Sequence, residues 1–309
     1  MAAVLPPPGR SRGGVASSGL AMVGASGAAL ASSPGGPPIG RMAPGVALPF
    51  DRVSGDWLRV LTPCEAVAWL ARNAARIHPP TPVVLDPGHG GDEPGAVGPA
   101  ALTEKEVNLE VARRAVDALG AQGVEAVLTR DGDYRATLAF RVSLATSVRP
   151  DAFVSIHHNA EPDGPRDGPG SETYYQYRSP ASKRLAGLLY EETVAALRAF
   201  SASWVADRDA GAKWRLNAEG GDYYGILRRA GEKNLTASLA ELAFISNASE
   251  EALLGTREVR QAEGEALARG IVRFLRTQDP GSGFTVPYPR TQPAGPGGGR
   301  KGCVDPLQR

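Results

Sequence analysis

Apolar and polar positions follow two rhythms in the middle of the chain. Short apolar runs bounded by Gly, Pro or Asp are typical of buried strands, whereas apolar residues that recur every third or fourth position predict a helix with one buried face. Strands are predicted in this way at residues 83–86, 124–129, 152–157, 172–177, 223–227 and 237–243. Helices are predicted at residues 104–119, 138–148, 182–197 and 258–275.

These strands and helices alternate along residues 81–279, which we therefore assign to one domain. Alternation of this kind favours an α/β fold with a largely parallel sheet, because parallel neighbours need long crossover connections that usually run through helices. We expect about six strands, with helices on both faces of the sheet. Ligands bind to such sheets outside the carboxyl ends of the strands.

Residues 46–80 have a different, β-rich pattern. Apolar clusters separated by Gly, Pro and Asp predict two or three short strands, at 47–53, 57–61 and 66–70. The order Gly-Asp-Trp-Leu-Arg-Val, then Thr-Pro-Cys, then Val-Ala-Trp-Leu resembles the end of a bacterial SH3-like repeat. Because only part of such a repeat is visible, the segment is either a partial SH3-like module or a linker strand packed on the main domain, and we prefer the linker.

Both ends of the chain are rich in Gly and Pro, of which the whole sequence has 38 and 26. Segments of this composition bury too little apolar surface to offset the entropy lost on ordering, so we predict disordered tails at residues 1–45 and 280–309. The first tail also fits an export signal, because two arginines precede an uncharged stretch in which Ala29-Leu30-Ala31 matches a small-residue cleavage motif. Plain low-complexity sequence explains that stretch equally well.

Composition and charge exclude several classes of protein. With 309 residues and a formal net charge of +1, the chain lacks the basic excess typical of nucleic-acid binders. No uncharged run has the apolar density of a membrane-spanning helix. The two cysteines, Cys64 and Cys303, are too few for a cysteine-rich scaffold or a cysteine-based zinc module. They could form one disulfide in an exported protein, or be unrelated thiols.

Two histidines stand where the predicted sheet would bind a ligand. His89 follows the first strand of the domain within Asp-Pro-Gly-His-Gly-Gly, and the glycines on both sides let the backbone turn sharply. His157 ends the strand at 152–157. The two imidazoles could meet at the carboxyl edge of the sheet if their strands are neighbours.

Two glutamates could complete a reactive site. We place Thr103 at the N-cap of the helix that begins at Glu104, and Glu106 at the reciprocal position of a capping box, so that Glu104 is available as a ligand. Two histidines, one glutamate and an open water position form a common catalytic zinc arrangement. Glu241 lies inside an apolar strand, where a carboxylate is costly unless it is functional or paired with an arginine.

Several segments resemble the zinc amidase family of bacterial cell-wall hydrolases. They occur in the family's order within residues 83–276, at 85–91, 104–109, 129–130, 138–141, 155–160 and 241–247. The resemblance implies an N-acetylmuramoyl-L-alanine amidase, which cuts the amide between N-acetylmuramic acid and L-alanine in peptidoglycan. It also implies a twisted sheet flanked by helices.

The same resemblance implies roles for individual residues. One Zn²⁺ per chain would be bound by His89, Glu104 and His157, and Glu241 would be the catalytic carboxylate. His158 departs from the family pattern, which usually has a small residue at this position. Because successive side chains of a strand point to opposite faces, His158 is not expected to share the ion with His157. We expect it at the substrate edge or in the packing.

The resemblance extends to where and on what the protein acts. We expect a monomer, secreted or associated with the cell wall, whose partner is peptidoglycan, with no nucleic acid and no transmembrane segment. Two other functions are kept as alternatives: a zinc peptidase that acts on other wall peptides, and an inactive wall-binding module. The reaction product separates them, because an amidase frees a peptide that begins with L-alanine and leaves the glycan intact.

Overall fold

The computed structural model describes residues 17–160, 164–206, 210–286 and 298–308. The strands are β1 (Gly19–Val23), β2 (Ala28–Ala31), β3 (Pro38–Met42), β4 (Ala47–Ser54), β5 (Trp57–Leu61), β6 (Val67–Ala71), β7 (Ala75–His78), β8 (Val83–Pro87), β9 (Ala126–Leu128), β10 (Ala152–Asn159), β11 (Gly164–Pro165), β12 (Glu172–Tyr175), β13 (Val205–Ala206), β14 (Gly211–Lys213) and β15 (Ala237–Phe244). The helices are α1 (Glu104–Ala121), α2 (Leu138–Val148), α3 (Pro180–Leu197), α4 (Gly225–Glu232), α5 (Ala248–Leu254) and α6 (Arg257–Arg276), and a 3-10 turn lies at Arg72–Ala74.

The first seven strands form an antiparallel sheet in the order β3-β2-β6-β5-β4-β1-β7. The three strands predicted between residues 46 and 80 are present in it as β4, β5 and β6. Its buried core includes Leu20, Leu48, Leu58 and Leu70, which are almost fully shielded from solvent. The sheet is therefore larger than either a partial module or a single linker strand, because it is completed by β1, β2 and β3 before the predicted strands and by β7 after them.

The prediction of a disordered tail at residues 1–45 is wrong for the part that the structure describes. β1, β2 and β3 lie there, and Leu20 and Met42 are fully buried. Pairing of β1 with both β4 and β7 buries apolar side chains that are too sparse to predict a strand locally. The motif Ala29-Leu30-Ala31 coincides with β2, which contradicts its interpretation as a signal cleavage site. Residues 1–16 lie outside the described part.

A second sheet has six strands in the order β14-β12-β15-β10-β8-β9. β9, β8, β10 and β15 run parallel to one another, whereas β12 pairs with β15 antiparallel and with β14 in parallel. The α/β class is confirmed, and the predicted largely parallel sheet is corrected to a mixed one. The connection from β10 to β12 contains no helix in its described part, and a strand reached without a crossover helix usually enters antiparallel.

Side chains alternate between the two faces of this second sheet. On β8, Val83 and Leu85 join a core with α1, α3, α5 and α6, while Val84 joins the core that contains α2, α4 and the first sheet. Helices therefore cover both faces, as predicted, and the first sheet extends the packing on one of them. Among the described residues, every helix is too short or too polar to traverse a bilayer.

The four predicted helices are present as α1, α2, α3 and α6. The predicted strand at residues 223–227 is wrong, because α4 begins at Gly225. Its buried residues Ile226, Leu227 and Ala230 form one face of a helix turn. A short apolar run fits either periodicity until its neighbours are known.

A disulfide joins the carboxyl-terminal segment to the first sheet. Cys303 is bonded to Cys64, with a Cα–Cα distance of 5.6 Å, which resolves the alternative left open by the sequence. Asp305 reinforces the link, since it accepts hydrogen bonds from the Thr62 hydroxyl and from the Cys64 amide, both at 2.8 Å.

The prediction of a disordered tail at residues 280–309 is consequently wrong for residues 298–308. Arg135, which lies between β9 and α2, donates to the carbonyls of Gly299 and Lys301 at 2.7 and 2.9 Å. This segment is therefore also joined to the part of the chain that forms the second sheet. The disulfide and the hydrogen bonds of Arg135 hold this segment in place, and the apolar content of the sequence predicts neither. The rest of the tail up to residue 297 lies mostly outside the described part.

Removing the disulfide should destabilise the protein. Its two cysteines are 239 positions apart, and a cross-link that closes a long loop restricts the unfolded chain. We expect Cys303→Ser to lower the free energy of unfolding by about 2–4 kcal/mol in a denaturant titration. Reductant should lower the Tm of the wild type and leave that of the variant unchanged. A wild-type Tm that stays constant after both thiols have been shown to be free would contradict this role.

Candidate metal centre

Three side chains from separate elements converge at the carboxyl edge of the second sheet. His89 follows β8, Glu104 begins α1 and His157 lies on β10. One donor atom from each lies within 4.8 Å of the other two. His89 Nε2 is 3.1 Å from Glu104 Oε2, and His157 Nδ1 is 2.9 Å from Glu104 Oε1. The structure thus brings together the three residues that the sequence singled out as ligands.

The donor set and the space around it fit Zn²⁺. Two imidazoles and one carboxylate are ligand types of catalytic zinc sites, and a ligating imidazole has to be neutral. Burial lowers the pKa of His157 even though the Glu104 carboxylate opposes this, which favours the neutral ring. Glycines leave room for the ligands: a Cβ at Gly88 would overlap the His157 ring, and a Cβ at Gly95 would overlap Glu104 and His89.

Glu104 is a buried carboxylate that stays charged. Burial by itself would raise its pKa, but the hydrogen bonds and charges of His157 and His89 hold that pKa well below its usual range. Its Oε2 accepts the Ala96 amide at 2.8 Å, and its Oε1 accepts the side-chain amide of Asn108 at 3.2 Å. A carboxylate oriented from several sides is a suitable fixed ligand for a cation.

The start of α1 agrees with the prediction in position and differs in its contacts. Thr103 is the N-cap, but its hydroxyl donates to Glu106 Oε2 at 2.5 Å and accepts no backbone amide, so a complete capping box does not form. Glu106 therefore makes a local contact at the helix surface. Glu104, two positions earlier, is the glutamate that reaches the histidines.

The loop that carries His89 is shaped by the buried carboxylate of Asp86. Asp86 accepts hydrogen bonds from Thr129, from Arg141 at 2.7 Å and from Ser155 at 2.7 Å. Arg141 also donates to the carbonyl of His89 at 2.7 Å. His89 has a φ of 61°, a left-handed conformation that a non-glycine residue adopts only when its surroundings enforce it. The Asp86 network supplies that constraint.

A second arginine braces the same loop from the other side. Arg130 is almost fully buried and donates to the carbonyls of Pro87, Gly88 and Lys105 at 3.0, 2.8 and 2.9 Å. Arg130 and Arg141 lie in segments that resemble the zinc amidase family, but no role was predicted for either of them. A signal was present, since a basic residue at a core-facing position needs several acceptors.

His158 lies on the opposite side of β10 from His157 and is buried. Its Nδ1 is 2.8 Å from Asn108 Oδ1, and its Nε2 is 3.3 Å from Glu263 Oε2. Of the two positions expected for it, the packing position is the one observed. Because Asn108 also donates to Glu104, His158 belongs to a chain of contacts that orients the carboxylate ligand.

Glu241 lies on β15 directly beside His157 in the sheet register. It lines a cavity of 370 Å³ together with both histidines, and the walls of this cavity also include Glu93, Leu138, Arg215, Tyr223, Tyr224 and Gly298. The donor cluster found among the described residues does not include Glu241. Glu241 is therefore a carboxylate that lies beside the donor cluster and outside it.

Comparison with known proteins shows what this chain is similar to. A family model described as N-acetylmuramoyl-L-alanine amidase matches residues 83–273. The uncharacterized protein YqiI of Bacillus subtilis is 36% identical over 191 residues, which cover 61% of this chain and 82% of YqiI. The N-acetylmuramoyl-L-alanine amidase LytC of the same organism is 35% identical over 196 residues, which cover 63% of this chain but only 35% of LytC.

This chain is also similar to a solved amidase structure in three dimensions. The N-acetylmuramoyl-L-alanine amidase AmiC2 of Nostoc punctiforme matches with a TM-score of 0.52 and 32% sequence identity. The match covers 63% of this chain and 96% of that one. The first sheet lies outside the residues that the family model matches.

Two neighbouring glutamates should respond differently to the same substitution. Glu104→Ala removes a donor from the cluster and should abolish or strongly reduce the zinc content of the purified, folded protein. Glu106→Ala removes only the side-chain hydrogen bond from Thr103, so it should retain zinc and destabilise the protein by about 0.5–1.5 kcal/mol, as for the loss of one hydrogen bond. Metal analysis and thermal melting on both variants test this pair. Loss of zinc from Glu106→Ala with retention in Glu104→Ala would show that the ligand assignment is wrong.

Proposed function

This chain belongs to the N-acetylmuramoyl-L-alanine amidase family, and on that premise we propose that it hydrolyses the amide between N-acetylmuramic acid and L-alanine in peptidoglycan with the help of one Zn²⁺. His89, Glu104 and His157 would hold the ion, and Glu241 would transfer protons. One observation carries the proposal: the two histidines of the three-residue donor cluster line the same cavity as Glu241.

Zn²⁺ bound at this cluster supplies a Lewis acid for the amide carbonyl and makes water a better nucleophile at neutral pH. Glu241 accepts the proton that the attacking water loses. The same carboxyl group then donates that proton to the leaving nitrogen of L-alanine, so that the amine departs neutral as the C–N bond breaks. The carboxylate returns to its starting state, and one residue performs both transfers.

The protein around the cluster keeps the reactive groups in place. The Asp86 network holds the backbone of His89, and the chain from Glu263 through His158 and Asn108 orients Glu104. Preorganisation of this kind matters, because small displacements of reacting groups cause large losses in rate.

We propose that residues 81–279 are the catalytic domain and that the sheet β1–β7 is an accessory, SH3-like module. The module shares a buried core with α2 and α4 and is cross-linked to the carboxyl-terminal segment. It is therefore attached to the catalytic domain across a packed interface. A single chain provides the whole donor cluster and Glu241, which supports a monomer as the active form.

We further propose that the protein acts outside the cytoplasmic membrane, as a secreted or wall-associated enzyme. Cross-linked peptidoglycan is found there, and disulfides such as Cys64–Cys303 persist in oxidising compartments. Recovery of the native protein only from the cytosol, with both thiols reduced, would contradict this location.

Digestion of purified sacculi tests the reaction itself. We expect new peptide amino termini that begin with L-alanine, glycan strands of unchanged length, loss of activity with a chelator and recovery on addition of Zn²⁺. A peptidase would release fragments with other amino termini. An inactive wall-binding module would sediment with the sacculi and release nothing.

Glu241→Gln separates proton transfer from metal binding. Glutamine keeps the shape of the side chain but removes its basic oxygen, so zinc should stay bound while turnover falls by about 10²–10⁴-fold. Zinc content, Tm and sacculus digestion are measured on the same preparation, with the exposed Glu219→Gln as a control for loss of one charge. A folded, zinc-loaded Glu241→Gln protein with near wild-type digestion would remove Glu241 from the mechanism.

A further inference from the structure

Arg215 is a buried cation in the wall of the catalytic cavity. It follows β14, is 7% exposed and lines the same cavity as His89, His157 and Glu241. Neither the sequence pattern nor the proposed mechanism gives it a role. A charged side chain at such a position is unfavourable unless a partner compensates for it.

The protein compensates for the charge of Arg215 only in part. Among the described residues no carboxylate forms an ion pair with it, and its Nε is buried without a hydrogen-bond acceptor. The two hydrogen bonds that it makes go to the phenol oxygens of Tyr224 at 3.3 Å and Tyr174 at 3.0 Å. They use two of the five N–H groups of a guanidinium.

Neighbouring Lys213 shows the contrast. Lys213 lies two positions earlier and forms an ion pair with the buried carboxylate of Glu172. The positive charge of Lys213 is thus balanced within the protein, whereas the hydrogen bonds of Arg215 go to the phenol oxygens of two tyrosines. The same short segment therefore carries one cation that pairs with a carboxylate and a second whose hydrogen bonds go to phenols.

The guanidinium is nevertheless held firmly. The rings of Tyr174, Tyr223 and Tyr224 have their centroids 5.0, 5.4 and 5.9 Å from its central carbon, within the range of cation–π contacts. Tyr174 donates its own hydroxyl proton to Glu172 at 2.9 Å, so its oxygen lone pairs are directed to Arg215. A fixed, planar fork of donors is the arrangement that binds carboxylates in proteins.

We propose that Arg215 is the receptor for a carboxylate of the stem peptide, and that it makes the enzyme select stems with a free α-carboxylate on their second residue. This inference rests on the proposed amidase function. When the scissile amide lies at the metal cluster, the next residues of the stem extend into the cavity. The second residue, D-glutamate linked through its γ-carboxyl, bears the first free carboxylate of the stem. In walls where this group is amidated, the stem is neutral at that point.

The spacing suits this assignment. An extended chain advances about 3.3–3.6 Å per residue, so the carboxylate of the second residue lies several ångströms from the scissile amide. A cavity of 370 Å³ has room for a short peptide of this size, and its walls include Arg215 and the two histidines of the donor cluster. Tyr224 links the two ends of the cavity, because it contacts Arg215 at 3.3 Å and lines the same cavity as Glu241 and the two histidines.

Two matched substrates test the proposal on the wild-type enzyme. They are muramoyl peptides that differ only in D-isoglutamate or D-isoglutamine at the second position. We expect kcat/KM to be about tenfold to a hundredfold higher for the carboxylate, as for a hydrogen bond to a charged group. Equal cleavage of both substrates would overturn the carboxylate receptor and leave the amidase function intact. Cleavage of neither would count against the amidase function itself.

Substitutions then assign the preference to Arg215. Arg215→Gln should lower kcat/KM for the carboxylate substrate to the level of the amidated one, with little change for the latter. The exposed Arg229→Gln, on α4, should leave the preference unchanged. A folded Arg215→Gln enzyme that keeps the wild-type preference would overturn the assignment.

Arg215→Lys provides the second variant if the glutamine variant does not fold. Lysine keeps the charge but loses the planar fork, so the preference should shrink to an intermediate value while the Tm stays close to that of the wild type. A Lys variant with the full wild-type preference would show that the fork of Arg215 is not what recognises the carboxylate.

Discussion

The buried ion pair between Asp86 and Arg141 is the interaction on which the site depends. Their side chains are 2% and 3% exposed and meet at 2.7 Å, joining β8 to α2. Because Arg141 also donates to the carbonyl of His89, the same side chain contributes both to the packing of the helix on the strand and to the conformation of a residue in the donor cluster. Removing one partner of such a pair typically costs about 3–5 kcal/mol, so fold and site would be lost together.

The buried charges around the second sheet are balanced in different ways. Asp86 has Arg141, and Glu172 has Lys213, so both carboxylates are satisfied within the protein. Glu104 is contacted by two imidazoles, and Arg215 donates to the phenol oxygens of Tyr224 and Tyr174. On the proposals above, the cavity has a metal end and a carboxylate-binding end, and the substrate lies between them.

The carboxyl-terminal segment links this cavity to the first sheet. The Gly298 amide donates to Glu93 at 2.9 Å, and Glu93 in turn pairs with Arg135 at 2.9 Å. Both Gly298 and Glu93 line the cavity, while the disulfide of Cys303 anchors the same segment to the first sheet. The first sheet and one wall of the cavity are therefore held by a single stretch of chain.

Local patterns in the sequence were sufficient for the main helices, for the α/β class and for placing His89 and His157 at the edge of the second sheet, whereas the place of Glu104 beside them was implied by the resemblance to the amidase family. The reason is that helix periodicity, strand ends and glycine-flanked turns are properties of neighbouring residues. Tertiary structure alone decided the pairing of β1 with β4 and β7, the reversed direction of β12 and the disulfide across 239 positions. It also placed Arg215 among three tyrosines in the cavity. These features join residues far apart in the chain, and their free energy comes from contacts that exist only after the sheets have formed, so no local pattern could have shown them.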